Sequence, residues 1–134
     1  MSTSNRIHTL GLAPLFLRIG LGTLTVIHGW SRVSNPAAVM SIWQELRLPG
    51  PAVLGPGIEI AEFCAGILLV VGLMTRFSGL FLALAILVET LATKAPFTHV
   101  GGWALEWLSF WMALALVLLG PGFASLDGLL RRHR

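Results

Sequence analysis

Four apolar stretches, at about 10–31, 51–74, 77–94 and 103–120, take up most of this 134-residue sequence. Each is roughly 18–24 residues long, enough to cross ~30 Å of hydrocarbon at about 1.5 Å per residue. In lipid, every backbone N–H and C=O of such a stretch must be satisfied internally, which restricts it to a helix. Composition agrees. Charged residues make up 11% of the chain and apolar residues 55%, against roughly 25% charged in a soluble domain. A soluble chain this small leaves too much surface in water to hide that much apolar area. The expectation is a single all-α domain over residues 1–134, an integral membrane protein built as an antiparallel four-transmembrane-helix bundle.

The connectors refine that picture. The longest, Arg32 to Gly50, contains Pro36-Ala37-Ala38-Val39-Met40-Ser41-Ile42-Trp43, which reads as a short interfacial helix with proline at its start and tryptophan at the headgroup level. Thr75-Arg76 reads as a tight turn, and Lys94 to Gly102 as a loop marked by Pro96 and Gly101-Gly102. The first apolar stretch is too long for a signal-peptide core and carries Arg18, so it reads as a retained helix. An even number of spans puts Arg6, Arg76, Arg131, Arg132 and Arg134 on one side, and Arg32, Arg47 and Lys94 on the other. The bias favours cytoplasmic termini. Net charge is +3 without a basic stripe, which gives no reason to expect nucleic acid. Cys64 is the single cysteine, so CxxC redox chemistry is excluded; it reads as a small packing residue.

Six ionisable residues interrupt the apolar stretches: Arg18, His28, Glu59, Glu62, Glu89 and Glu106. A charged group at mid-helix costs on the order of 2.5–3.5 kcal/mol to insert. Counting from span midpoints sets Arg18 beside Glu62 near the bilayer centre, a charge-neutralising pair. Glu59 falls one turn away on the same face as Glu62. Glu89 and Glu106 fall outward of centre and His28 further out, so the expectation is an outward-opening polar column with Arg18 at its base. Such groups also act as glue between helices, Glu89 is able to pair with His28, and Glu106 lies near enough to a helix end to be solvated. Yet one arginine cannot balance four carboxylates. The surplus has to be protonated, hydrated, or engaged with a cation or ligand, as in a proton relay or a quinone-head site. Di-iron sites in bundles use Glu-x-x-His on two helices; Glu59 to Glu62 is Glu-x-x-Glu, so no metal site is expected. His99 reads as an interfacial histidine.

Gly20, Gly22, Gly66 and Gly72 let helices approach closely. Pro51, Gly55, Pro56 and Gly57 are expected to loosen or kink the start of the second stretch before Glu59. Trp30, Trp43, Trp103 and Trp107 read as interfacial anchors or as a roof over an outward pocket, and Trp111 as a deeper packing residue.

Several ordered motifs carry a family resemblance: Arg18-Ile19-Gly20-Leu21-Gly22, His28-Gly29-Trp30-Ser31-Arg32, Glu62 with Ala65-Gly66-Ile67-Leu68-Leu69, Gly72-Leu73 with Thr75-Arg76, Glu106, and the ending Gly120-Pro121-Gly122-Phe123-Ala124-Ser125-Leu126-Asp127. Together they resemble the DoxX family of small four-helix bacterial membrane proteins, with Arg32 where the family commonly has lysine. Glu59 lies outside these motifs. The family takes its name from a subunit of thiosulfate:quinone oxidoreductase, and relatives are linked to membrane redox complexes and oxidative-stress responses. The resemblance implies a multi-pass protein of the bacterial inner membrane, in contact with the lipid bilayer and working with a redox partner protein or as a homo-oligomer. Without haem or nucleotide motifs, the chain fits a non-catalytic subunit of a membrane oxidoreductase. In that reading Arg18, His28, Glu62, Glu89 and Glu106 line a polar pocket for a quinone head or protons. Two other readings stay open: a structural or assembly protein whose charges only lock helix packing, and a small-solute or ion carrier.

Overall fold

The computed structural model describes residues 3–45, 47–50, 52–92, 100–122 and 125–132, with side chains from residue 12 onward and excluding those of 92, 100–103 and 130–132. All regular structure among them is helical: α1 (Thr3–Val33), α2 (Pro36–Glu45), α3 (Leu54–Val71), α4 (Thr75–Ala92), α5 (Val100–Leu119) and α6 (Leu126–Arg132). The expected Lys94–Gly102 loop, including Pro96 and His99, lies largely outside the described residues, as do Pro51, the Trp103 side chain, Phe123, Ala124 and Arg134.

Among the described residues two stretches, Leu12–Val33 and Leu54–Val71, are long and apolar enough to cross a membrane, and α5 holds a shorter apolar segment, Ala104–Leu119. Large apolar side chains point outward along all four long helices, among them Phe16, Trp30, Phe77, Leu91, Trp111 and Leu118. A surface this apolar is suited to a hydrocarbon surround and costly in water. Cys64 and Trp111 share it: both are exposed rather than packed inside, and Trp111 stacks on Trp107 with ring centroids 6.2 Å apart.

Helix ends follow from local chemistry. Asn35 opens α2, its side-chain oxygen accepting from Ala38 N at 3.4 Å, with Pro36 at the first helical position where no N–H is missed. The proline-glycine cluster does not kink α3. Pro56 sits in its first turn, where the absent N–H would have had no partner in any case. Gly72 ends α3 at φ +77°, with Gly72 N on Leu68 O and Leu73 N on Leu68 O at 2.8 and 2.9 Å. The α3–α4 turn is therefore Gly72–Met74, and Thr75, expected in the turn, begins α4. Met74 itself is left-handed at φ 50°. Asp127, from the start of α6, holds the turn: its two carboxylate oxygens accept from Met74 N at 2.9 Å and Thr75 N at 3.0 Å, while Asp127 N donates to Gly72 O at 3.1 Å. A carboxylate there also meets the positive end of the α4 dipole.

The long helices pack in sequence, α1 on α3, α3 on α4, α4 on α5, and α5 back on α1. Small residues set the α1–α3 register. A Cβ on Gly22 would lie 2.7 Å from Val70 Cγ2 and 2.9 Å from Gly66 O, and one on Gly29 would lie 3.0 Å from Phe63 Cβ. These contacts are antiparallel and leave no room to slide. Gly79 plays the same part between α4 and α5, its backbone against Ala113 O. Leu21, Ala65, Leu69, Leu82, Ala83, Ala113 and Leu116 form the shared core between these helices.

Candidate polar site between the long helices

The register decides which charges meet. With Gly22 fixed against Gly66, Arg18 falls level with the end of α3 and not with Glu62. Its guanidinium lies where a Gly72 Cβ would be, 1.9 Å from Nη1, beside Ser125 and in the field of Asp127. Glu62 is about 15 Å away along α3 by the helical rise. The expected Arg18–Glu62 pair is therefore replaced, and Arg18 is not the base of the polar column; it is buried at the α3–α4 turn, 1% exposed.

At the opposite end the cation is Arg32, at the close of α1. Its Nη1 donates to Glu59 Oε1 at 3.1 Å and Oε2 at 3.3 Å, and its Nη2 donates to Glu89 Oε1. One planar fork thus ties α1 to both α3 and α4. Glu89, considered above as a partner for His28, is held by Arg32. Glu59, which carried no family expectation, is the most buried acid of the group. Sequence reasoning counted Arg32 as a loop charge. The signal that places it is helical spacing: His28 and Arg32 are four residues apart on one α1 face, beside the Gly29 that packs on α3.

Two cavities flank this fork. The inner one, about 300 Å³, lies between α1, α3, α4 and α5, and its wall includes Thr25, His28, Arg32, Glu62, Glu89, Glu106 and Ser109. Of the five expected site residues, His28, Glu62, Glu89 and Glu106 are brought together there and Arg18 is not. Glu106 Oε2 is 3.3 Å from the Thr90 hydroxyl, which also donates to Ile86 O at 2.7 Å. The outer cavity, about 470 Å³, lies between α3 and α4 beneath α2. It is mostly apolar. Trp43, packed on the Cβ-less face of Gly55, roofs it with Val39 and Ile42, while Phe81 and Ala85 form its floor. Its outer lip is Ile58, Leu84 and Val88, which are also exposed on the flank of the protein. Both cavities share Arg32, Glu62 and Glu89 on their walls, so a chamber of mixed polar and apolar lining and a more apolar side pocket meet at one set of charged groups. Both volumes fall in the range of about 300–1,000 Å³ common for small-molecule sites. Among the described residues, no three His, Cys, Asp or Glu side chains are placed to share a metal ion.

Comparison with known proteins returns the DoxX family, whose model matches residues 13–95. A curated Bacillus subtilis protein named "Putative oxidoreductase CatD" is 28% identical over 118 residues, covering 87% of this chain and 85% of the relative. No solved structure matches.

Proposed function

The chain belongs to the DoxX family, which is membrane-associated, and from that premise we propose that it is the membrane subunit of a redox assembly, holding a quinone-type head group inside the bundle. In this reading α1, α3, α4 and α5 all cross the bacterial inner membrane, with both termini in the cytoplasm. The carrying observation is the junction of the two cavities at Arg32, Glu62 and Glu89. An isoprenoid or alkyl tail fits the apolar outer pocket, entering from lipid past Ile58, Leu84 and Val88. The ring sits at the junction, where Arg32 and Glu62 are within the shared wall. The inner chamber then offers His28 and Glu106 as proton acceptors toward the far wall. A quinone, when bound, would supply the two-electron chemistry; the chain's own residues bind its head, shelter it and handle its protons. The name of the Bacillus relative favours a redox setting.

Binding of decylubiquinone, in either redox form, to protein in nanodiscs tests this reading, with protein-free discs as the partition control. Ala85→Trp fills the pocket floor and is expected to lower affinity more than tenfold at unchanged melting temperature. No binding above the control, or full binding by Ala85→Trp, would sink the proposed site.

The assembly is tested separately. Purified from its native membrane in mild detergent, the chain is expected to bring down a redox-enzyme component in fixed ratio. A chain that purifies alone or only with copies of itself would count against the subunit role.

The structural reading has its own support, because the Arg32 fork braces three helices. A brace and a binding site are compatible, and the variants discussed below separate them.

A further inference from the structure

We infer that the inner chamber is a blind vestibule: water reaches it only from the face on which α1 and α4 end and α5 begins, and a head group bound there exchanges protons with that face alone. The second clause rests on the binding site proposed above; the first does not. One leucine from each of the four long helices, Leu21, Leu69, Leu82 and Leu116, is fully buried, and with Ala65, Ala83 and Ala113 they form one contiguous core. Leu82 also lies on the chamber wall, so that core is the chamber's floor. Beneath it, toward the Gly72–Met74 turn, the next buried polar side chains include Arg18, Thr75 and Ser78.

This floor is too thick for a proton to cross. From Leu24 on the chamber wall to Arg18 is six residues along α1, and from Leu82 to Ser78 four along α4, or roughly 9 and 6 Å by the helical rise. A proton hop needs donor and acceptor about 2.5–3.2 Å apart, and a close-packed apolar layer holds no water to bridge the gap. The other end is built differently. Arg32 and Glu89 lie in the last turns of α1 and α4, Glu106 in the second turn of α5, and His28, on the same wall, is exposed. Thr25 and Ser109 continue the polar lining down toward the floor. A bound quinone becomes hydroquinone by taking two electrons from the redox partner and two protons through this mouth. In the reverse direction the protons leave by the same mouth and the electrons return to the partner. With the termini in the cytoplasm, that face is the outer one.

Ser109→Cys, made in a Cys64→Ala background that leaves no other thiol, reports which face the chamber meets. A cationic, membrane-impermeant methanethiosulfonate is applied outside spheroplasts, and outside inverted vesicles, carrying the full chain. Arg47→Cys at the chamber end and Arg76→Cys at the turn end, both exposed positions, mark the two faces in the same background. Ser109→Cys is expected to react at least tenfold faster in the preparation that labels Arg47→Cys than in the one that labels Arg76→Cys. Thr25→Cys, on α1 across the chamber, repeats the test if Ser109→Cys does not fold. Similar rates from both faces would overturn the seal and favour a carrier. Faster reaction from the turn face would overturn the direction, and no reaction from either face would overturn the water-filled vestibule. None of these readouts needs a quinone. One-sided labelling without decylubiquinone binding would keep the vestibule and lose the head-group site, whereas two-sided labelling with intact binding would lose the vestibule alone.

Discussion

Arg32→Ala is expected to cost roughly 2–3 kcal/mol of stability, because removing one member of a half-buried ion-pair network strands the others, Glu59 above all. Glu59 keeps little contact with the surroundings, its side chain being 8% exposed, and without Arg32 it must either hold an uncompensated charge in the bundle or take up a proton. A fall in melting temperature on the order of 10 °C is the readout. Arg32→Lys should recover only part, since a single ammonium cannot present two separate nitrogens to Glu59 and Glu89. The combination Arg32→Met, Glu59→Leu and Glu89→Leu should restore most of the stability, as apolar replacements of buried ion networks commonly do. The triple variant also divides the two roles of the fork. Stability that returns without quinone binding marks a brace that is also a site; stability that returns with full binding marks a brace alone. An Arg32→Ala protein that melts with the parent would mean that the fork carries no structural weight.

Gly72→Ala should be at least as damaging, through two independent effects at one position. The residue has φ +77°, and a left-handed conformation costs a residue with a Cβ about 1–2 kcal/mol. The added Cβ would lie 1.9 Å from Arg18 Nη1 and 3.0 Å from Ser125 Cβ. Arg18 is enclosed, 1% exposed, so either its guanidinium rearranges within the bundle or the α3–α4 turn or α6 shifts; overpacking of this kind typically costs a further 1–3 kcal/mol or so. Gly72→Asn should recover the conformational part, since asparagine tolerates the left-handed region, and keep the clash. In an Arg18→Ala background the Gly72→Ala penalty should shrink, and the difference measures the coupling between the two positions. Equal penalties in both backgrounds would show that Arg18 does not press on this turn.

The elements were more legible in the sequence than their register. The apolar stretches expected at 77–94 and 103–120 coincide closely with α4 and α5, the stretch at 10–31 lies within the longer α1, and Pro36 and Trp43 placed α2. Hydropathy reports where a helix lies, but it says little about how far one helix slides along another. Matching span midpoints set Arg18 against Glu62. Matching the small residues Gly22 and Gly66 would have set Arg18 near the end of α3, because close packing is felt at single-atom resolution and burial of a broad apolar stripe is not. The same error hid Arg32: counted as a loop charge for topology, it left the acids without their actual partner. His28, Glu62, Glu89 and Glu106 reach the wall of one cavity, His28 from an exposed position on α1 and the three acids from half-buried ones. Asp127 was visible only as part of a terminal motif, since nothing in its spacing announces contact with a turn 52 residues earlier in the chain.

That long reach has a consequence in time. Asp127 is separated by 52 residues from the Thr75 N–H that it accepts, and ribosomes add roughly 5–20 residues per second. The first turn of α4 is therefore made roughly 3–10 s before its cap exists. Glu59 and Glu89, by contrast, follow Arg32 in the chain before α5 begins, and every described cavity-lining residue precedes α6. During synthesis the molecule is thus finished from the cavity end toward the turn end. A nascent chain halted just after α5 would already hold the groups that make the chamber, and would still lack the residue that fastens the turn.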